Sequence, residues 1–397
     1  MFKKLRLLLR MSEVSCLVSE DGISRSERHV NFPLSPAITT LITAGLLVYS
    51  LANADLSFAC SRILWNTNRQ AVVVARSMDW DHHFGERLVI YPRGMKVSGA
   101  AGQNSATWTS KYGSVGVIPF TFFEKTMHGD EEAKAAGLSP YIDGYIEGIN
   151  EKGLTAHMLY LGPTQYEVRD NRPGINYARF LRYMLDNYAT VEEVLKDVDK
   201  VQVVPFKVGT VVYPLHFALE DPAGDSAIIE FVKGEMKVYH GREHRIMTND
   251  PEYDVHLENL KQYKAFGGAK TEIPGGVEPD ERFIRAAIYL KTLPEPKDRY
   301  EAVAFVYSVI RNVSVPFGSL YRSGPAETYP TWWTNAEDVT DRVFYFNWTA
   351  HPNVVWVDLK NVDFSKGNPL KTLDPMDPNL AGDVTKKFKP VRSKVGK

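Results

Sequence analysis

Cysteine is nearly absent from this chain of 397 residues, which has only Cys16 and Cys60. A protein with one thiol in its body cannot be held together by internal disulfides, and no C-x-x-C or H-E-x-x-H pattern is present to build a zinc site. His240 and His244 have the i, i+4 spacing of a chelating pair, but ordinary surface histidines are the commoner reading of that spacing. An excess of charge of either sign is also missing. With 47 basic and 48 acidic residues the formal net charge is −1, which excludes the broad basic field that nucleic acid or an anionic membrane surface requires. Long apolar runs are lacking too. The most apolar stretch, "SPAITTLITAGLLVYSLANA", has a core of about 15 residues, short of the roughly 20 that span a bilayer. What remains is a composition that is 44% apolar and 12% aromatic, that of a globular protein with one large core or two modest ones.

That apolar stretch reads as an export signal. It follows Lys3, Lys4, Arg6 and Arg10 and closes on Ala52-Asn53-Ala54, the small-x-small pattern of a signal-peptidase site. The segment before it is longer than a usual basic n-region, which leaves Met11 as an alternative start. A lipid anchor on Cys60 would need a Leu-like residue three positions before the cysteine and a small one two before. Ser57 and Phe58 stand there instead, so no stable membrane anchor is expected. Residues 1–59 are therefore expected to be signal and short propeptide, cut near Ala54 or Ala59, and residues 60–397 a single exported, periplasmic domain.

A cut directly before Cys60 would leave its α-amino group free. Nucleophile and base then sit on one residue: an amine with an ordinary pKa near 8 can take the thiol proton directly or through one water, and no histidine is needed. The competing reading is a buried, inert cysteine, the commoner fate of a lone thiol. The next residues bear on that choice. "CSRILWNT" and "QAVVVARSMDW" are β-rich runs around a polar turn, a hairpin that would return Arg76 and Asp79 toward Cys60. A guanidinium favours thiolate, and a carboxylate orients an ammonium.

The motifs "CSR", "ARSMDW", "YPRGM", "NSATWTSKYGSV", "GINEKGL" and "IMTNDP", in this order, resemble those of the choloylglycine hydrolase family of N-terminal-nucleophile hydrolases, which contains penicillin V acylases and conjugated bile salt hydrolases. The resemblance runs from Cys60 to about Leu359, and "ARSMDW" and "SKYGSV" look most like the Gram-negative branch. It implies a nucleophile at Cys60, an arginine and an aspartate at Arg76 and Asp79, an amide donor to the oxyanion at Asn249 and a second arginine at Arg282. It implies a homo-oligomer, a tetramer, and no metal or organic cofactor. One position departs from the branch: after "NEKGL" the chain has Tyr160, where bile salt hydrolases often have Asn and the Gram-negative acylases Trp. Tyr160, Trp80 and Tyr145 are candidates for the lining of an acyl pocket.

The remaining pattern agrees with an α+β, four-layer αββα fold, with two packed antiparallel sheets between helix layers. Strand-like runs "RLVIYP", "LTAHMLYL", "LHFALED", "SAIIEFV" and "EMKVYH" are separated by turns such as "DPAGD" and "VKGE". "NYARFLRYMLDNYA" places Tyr177, Phe180, Leu181, Met184 and Leu185 on one helical face, and Thr190 with Glu193 forms a capping box for a second helix. "ERFIRAAIYLKTL" and "YEAVAFVYSVIRNV" give another helical pair before "RVFYFNWTA" and "NVVWVDL" return to strand. The basic segment "AGDVTKKFKPVRSKVGK" is expected to be a loosely held tail.

Hydrolysis of a linear amide through a thioester is the chemistry these residues suit. The small-molecule substrates to weigh are penicillin V, N-acyl homoserine lactones and conjugated bile salts; Tyr160 and Trp80 favour an aryl or straight acyl chain over a steroid. Two readings from other classes stay open: an exported binding module with an inert cysteine, and a precursor whose only reaction is its own cleavage.

Overall fold

Strands such as "VVARSMD" and "LHFALE" do not alternate simply between apolar and polar residues, and strands without that alternation need cover on both faces. The computed structural model describes residues 59–127, 139–207, 211–319 and 329–391, and shows how that cover is arranged. Residues 1–58, on which the expected signal and propeptide fall, and the last six residues lie outside the described residues. The first strands are β1 (Ala59–Trp65), β2 (Val73–Asp79), β3 (Arg87–Tyr91), β4 (Lys96–Ser98), β5 (Thr107–Thr109), β6 (Ser114–Ile118), β7 (Glu147–Asn150) and β8 (Thr155–Tyr160). They are followed by β9 (Gly174–Asn176), β10 (Gln202–Val204), β11 (Leu215–Glu220), β12 (Ser226–Val232), β13 (Glu235–His240) and β14 (Ile246–Met247). The last are β15 (Thr331–Asp338), β16 (Val343–Trp348), β17 (Val354–Asp358), β18 (Lys371–Leu373), β19 (Gly382–Asp383) and β20 (Lys389–Pro390). The helices are α1 (Phe120–Met127), α2 (Tyr177–Asn187), α3 (Val191–Asp197), α4 (Tyr253–Leu260), α5 (Pro279–Thr292) and α6 (Arg299–Val313).

One sheet runs β14-β1-β2-β15-β16-β17-β19 and a second β13-β12-β11-β8-β7-β6-β3-β18-β20. Helices α5 and α6 cover the first sheet at β1, β2 and β15, and α2 covers the second at β7 and β8. The result is four layers, helix–sheet–sheet–helix. Strands β2, β6 and β11 are buried at every residue, whereas edge strand β13 is largely open to solvent. No helix among the described residues is long and apolar enough to cross a membrane.

The expected helices form for the expected reasons. Tyr177, Phe180, Leu181, Met184 and Leu185 of α2 are all buried, and the Asn176 side chain caps the helix by accepting from Arg179 N. Thr190 caps α3 by accepting from Glu193 N, and the Glu193 carboxylate accepts from Ala189 N. Several elements were not anticipated, among them α4, β6 and β7. Helix α1 follows β6 and carries Phe122 and Phe123, and β15, "TWWTNAED", is a central strand with Asn335, Glu337 and Asp338 buried. The C-terminal segment also departs from expectation. As far as Val391 it is anchored rather than loose: β19 pairs with β17, β20 with β18, and Val384 and Phe388 are buried.

Candidate functional site

Strands β1 and β2 form the expected hairpin, with Cys60 opposite Met78, Arg62 opposite Arg76, and Ala59 opposite Asp79. Alternation along β2 divides its polar residues between two faces. Arg76 and Met78 point toward the second sheet, where Arg76 Nη1 donates to Ile146 O at 2.8 Å and to Glu147 Oε2 at 3.3 Å. Ser77 and Asp79 point the other way, toward Arg282 of α5, whose guanidinium is 4.0 Å from Asp79. Cys60 lies between these groups at the end of the sheet.

The Cys60 peptide is held at both polar atoms. Its N–H donates to Asn249 Oδ1, and its carbonyl accepts from Arg282 Nη1 at 2.7 Å. Arg282 is fully buried and uses its whole fork: Nη2 donates to Asn249 Oδ1 at 3.0 Å, Nη1 also to Ser61 Oγ, and Nε to Val277 O at 2.8 Å. Asn249 Nδ2 donates to Tyr160 O at 2.8 Å, so one of its two amide hydrogens is directed to the end of β8. His256 holds the Asn249 carbonyl at 2.9 Å while its ring stacks on Phe283.

The thiol sulfur is 3.8 Å from Arg76 Nη2, 3.8 Å from Asp79 O and 3.9 Å from Met78 Sδ. Burial pushes the Cys60 thiol up from its ordinary value, and Arg76 is the main group pulling against that rise. Burial likewise holds the Asp79 carboxyl up, at about 7, although Arg282, Thr331 and Ser77 all favour its ionised form. Thr331 Oγ1 donates to Asp79 Oδ1 at 2.5 Å and Ser77 Oγ to Oδ2 at 3.1 Å, while Ser77 Oγ accepts from Ser61 N.

Beside Cys60 opens a cavity of about 630 Å³ whose wall is almost wholly apolar. Trp80, Phe84, Phe122 and Tyr213 make a closed circuit of ring contacts at 5.2–6.2 Å, and Tyr160 meets Trp80 edge-on at 6.1 Å. Tyr160 and Trp80 both line this cavity. Tyr145 does not: it is fully buried in the core beneath α2, with its ring 5.3 Å from Tyr91, and its neighbours Gly144 and Ile146 line the cavity instead. The three residues lie in the segment leading into β7, which lays Ile146 against the cavity and buries the Tyr145 ring on the other side.

Ser61, Ser77, Met78, Thr331, Phe122 and Tyr213 were not singled out from sequence. The paired tryptophans of "TWWT" were the available signal for a strand carrying Thr331. His240 and His244 make no chelating pair, since His240 meets Asp225 and His244 meets Tyr253. Among the described residues a three-ligand grouping does occur at buried Glu147, His157 and Glu337, with ligand atoms within 4.8 Å. Its anionic side already faces the Arg76 guanidinium.

A four-layer sandwich of antiparallel sheets, with a thiol at the wall of an apolar cavity and two buried guanidinium groups beside it, has the plan of an amide hydrolase of the N-terminal-nucleophile fold. A profile of the linear amide C–N hydrolases, choloylglycine hydrolase family, matches residues 60–376, and the chain belongs to that family. It is 32% identical over 381 residues to penicillin V acylase of Pectobacterium atrosepticum, covering 89% of this chain and 96% of that protein. The solved penicillin V acylase from Agrobacterium tumefaciens superposes with a TM-score of 0.71 at 34% identity, over 84% of this chain and 98% of that one. A conjugated bile acid hydrolase from Clostridium perfringens, TM-score 0.64 at 22% identity over 79% of this chain and 96% of that one, shares the fold.

Proposed function

We propose that the protein is a penicillin V acylase-like amidase whose nucleophile is Cys60 with its α-amine freed. The observation that carries this reading is the position of the thiol: 3.8 Å from Arg76, at the wall of the aromatic cavity, with its peptide held by Asn249 and Arg282. That the family match begins at residue 60 supports the expected cut before Cys60. Once free, the amine takes the thiol proton and the sulfur attacks the acyl carbonyl. The second Asn249 amide hydrogen stabilises the oxyanion, the proton passes to the leaving nitrogen as the C–N bond breaks, and water then releases the acid from the thioester. Asp79 orients the amine and Arg76 favours thiolate.

The acyl group enters the aromatic circuit. A phenoxyacetyl group or a straight acyl chain fits between flat rings, whereas a fused steroid needs a broader slot. Penicillin V, and long-chain acyl homoserine lactones, are therefore cleaved faster than glycocholate, with benzylpenicillin a poorer substrate. The signal-like leader supports export to the periplasm, where the protein would meet such molecules.

The test is kcat/KM of the purified protein on penicillin V, glycocholate and a long-chain acyl homoserine lactone, together with its intact mass. A clear preference for glycocholate would overturn the pocket argument and leave the nucleophile standing. Asp55 at the terminus of an active preparation would overturn the free-amine mechanism. If "DLSFA" is removed by the thiol itself, Cys60→Ala accumulates a form five residues longer.

A further inference from the structure

Two rows of polar side chains face each other inside the otherwise apolar sandwich. In the first sheet Arg62, Arg76 and Asn335 stand side by side on β1, β2 and β15, in direct register. In the second, Glu147 and His157 are register partners on β7 and β8, with Glu220 of β11 on the far side of His157. All are buried. Two arginines opposite each other on neighbouring strands repel, so the opposing sheet must bring a carboxylate to each. It does so: Glu220 pairs with Arg62, and Glu147 with Arg76 at 3.3 Å.

His157 spaces the two carboxylates. Its Nδ1 is 2.5 Å from Glu147 Oε1 and its Nε2 2.5 Å from Glu220 Oε2. Only the Nε2 contact has hydrogen-bond geometry, so the ring is held by Glu220 and packs its Nδ1 edge against the Glu147 carboxylate. Asn335 Nδ2 adds a further hold on Glu147, at 3.0 Å from Oε1, and reaches Glu337, whose carboxyl burial and the neighbouring Glu147 push well above its ordinary value. The Arg76 guanidinium is thereby fixed at one end by Glu147 and Ile146 O while its other nitrogen, Nη2, faces the thiol. Trp333 lies beneath it, 5.0 Å from its ring centre.

We infer that Glu147, held by His157 and Asn335, is the positioning residue that aims Arg76 at the Cys60 sulfur. The inference rests on the reading of Cys60 as nucleophile. A nearby charge and a positioning group make opposite predictions here. Taking away a negative charge, with nothing else changed, eases thiolate formation and lowers the pH at which Cys60 reacts. Taking away the anchor of Arg76 lets the guanidinium turn from the sulfur and raises that pH.

The experiment is the pH profile of Cys60 alkylation by iodoacetamide, followed by peptide mass, in the wild type, Glu147→Gln and Glu220→Gln, alongside penicillin V kinetics. Glu147→Gln is expected to move the profile to higher pH and to lower kcat roughly 10- to 100-fold with little change in KM. Glu220→Gln, whose partner is Arg62, is expected to leave the profile in place. An unmoved or lowered profile for Glu147→Gln overturns the inference, and so does an equal rise in Glu220→Gln, which would mean general loosening. Should Glu147→Gln fail to fold, Glu147→Asp keeps the charge but withdraws it by one methylene, and an unmoved profile there overturns the inference equally. If alkylation of wild-type Cys60 leaves hydrolysis intact, the nucleophile reading fails and this inference with it. If alkylation abolishes hydrolysis while the Glu147→Gln profile stays put, only the positioning inference fails.

Discussion

Asp79→Asn is expected to make the uncut protein more stable at alkaline pH while abolishing its activity. Asp79 is fully buried, and burial raises its carboxyl from 3.8 to about 7. A group raised in the fold contributes stability that is complete below its unfolded value and lost as pH rises through its folded value. The Asp79 contribution therefore declines between about pH 4 and pH 7 and is level above, and Asn escapes that decline. About three units at about 1.4 kcal/mol each set a ceiling near 4 kcal/mol. Against this, Thr331 and Ser77 donate to the two carboxylate oxygens, and one of them must meet an amide nitrogen instead, a mismatch costing about 1 kcal/mol. The expected gain is about 2–3 kcal/mol at pH 8, falling to about zero at pH 4.5, where the residual ionisation term and the mismatch cancel. The assay is urea unfolding followed by tryptophan fluorescence at both pH values, with Cys60→Ala in both chains and intact mass showing Ala59 still joined to residue 60. A gain that does not grow with pH, or an Asn variant that is the weaker at pH 8, would refute the argument that this carboxylate is held at the expense of the fold.

Thr331→Val removes the hydroxyl that favours ionised Asp79, so the acid limb of the kcat/KM profile should move to higher pH; an unmoved limb counts against Asp79 acting as the charged partner of the amine. Arg282→Lys replaces a fork that reaches Val277, Ser61, Asn249 and the Cys60 carbonyl with a single ammonium, and kcat on penicillin V should fall by about two orders of magnitude even if the variant melts near the wild type. Phe122→Ala opens the aromatic circuit at α1. Because Phe122 is only half-buried, the stability loss should stay below the about 3–5 kcal/mol of a core phenylalanine, and kcat/KM should shift toward longer acyl chains; an unchanged chain-length preference would remove Phe122 from the acyl wall.

Much of the site was legible because its parts lie at strand ends and turns that local pattern marks. Cys60, Arg76 and Asp79 fall on one hairpin whose register follows from a polar turn between β-rich runs, and the structure pairs those strands as the pattern requires. Helix α2 was readable from its apolar face and α3 from its cap. Asn249 and Arg282 were named only through family motifs, because nothing local tells an asparagine in a turn, or an arginine in a helix's first turn, that 189 and 222 residues separate it from the atom it holds.

What the sequence by itself determined was the β1–β2 hairpin, helices α2, α3, α5 and α6, most of the longer strands, and the candidate thiol. The tertiary structure alone decided which polar residues are interior. Strand β15 was passed over because "NAED" breaks the apolar alternation of a core strand, yet Asn335 and Glu337 are buried there because the packed sheets bring Glu147 and the Arg76 guanidinium to meet them. Tyr145 moved from pocket to core, and the C-terminal segment from loose to anchored, for the same reason. Local periodicity records whether a side chain leaves water, but the partner that makes its burial tolerable comes from strands distant in sequence, and only the assembled sandwich supplies it.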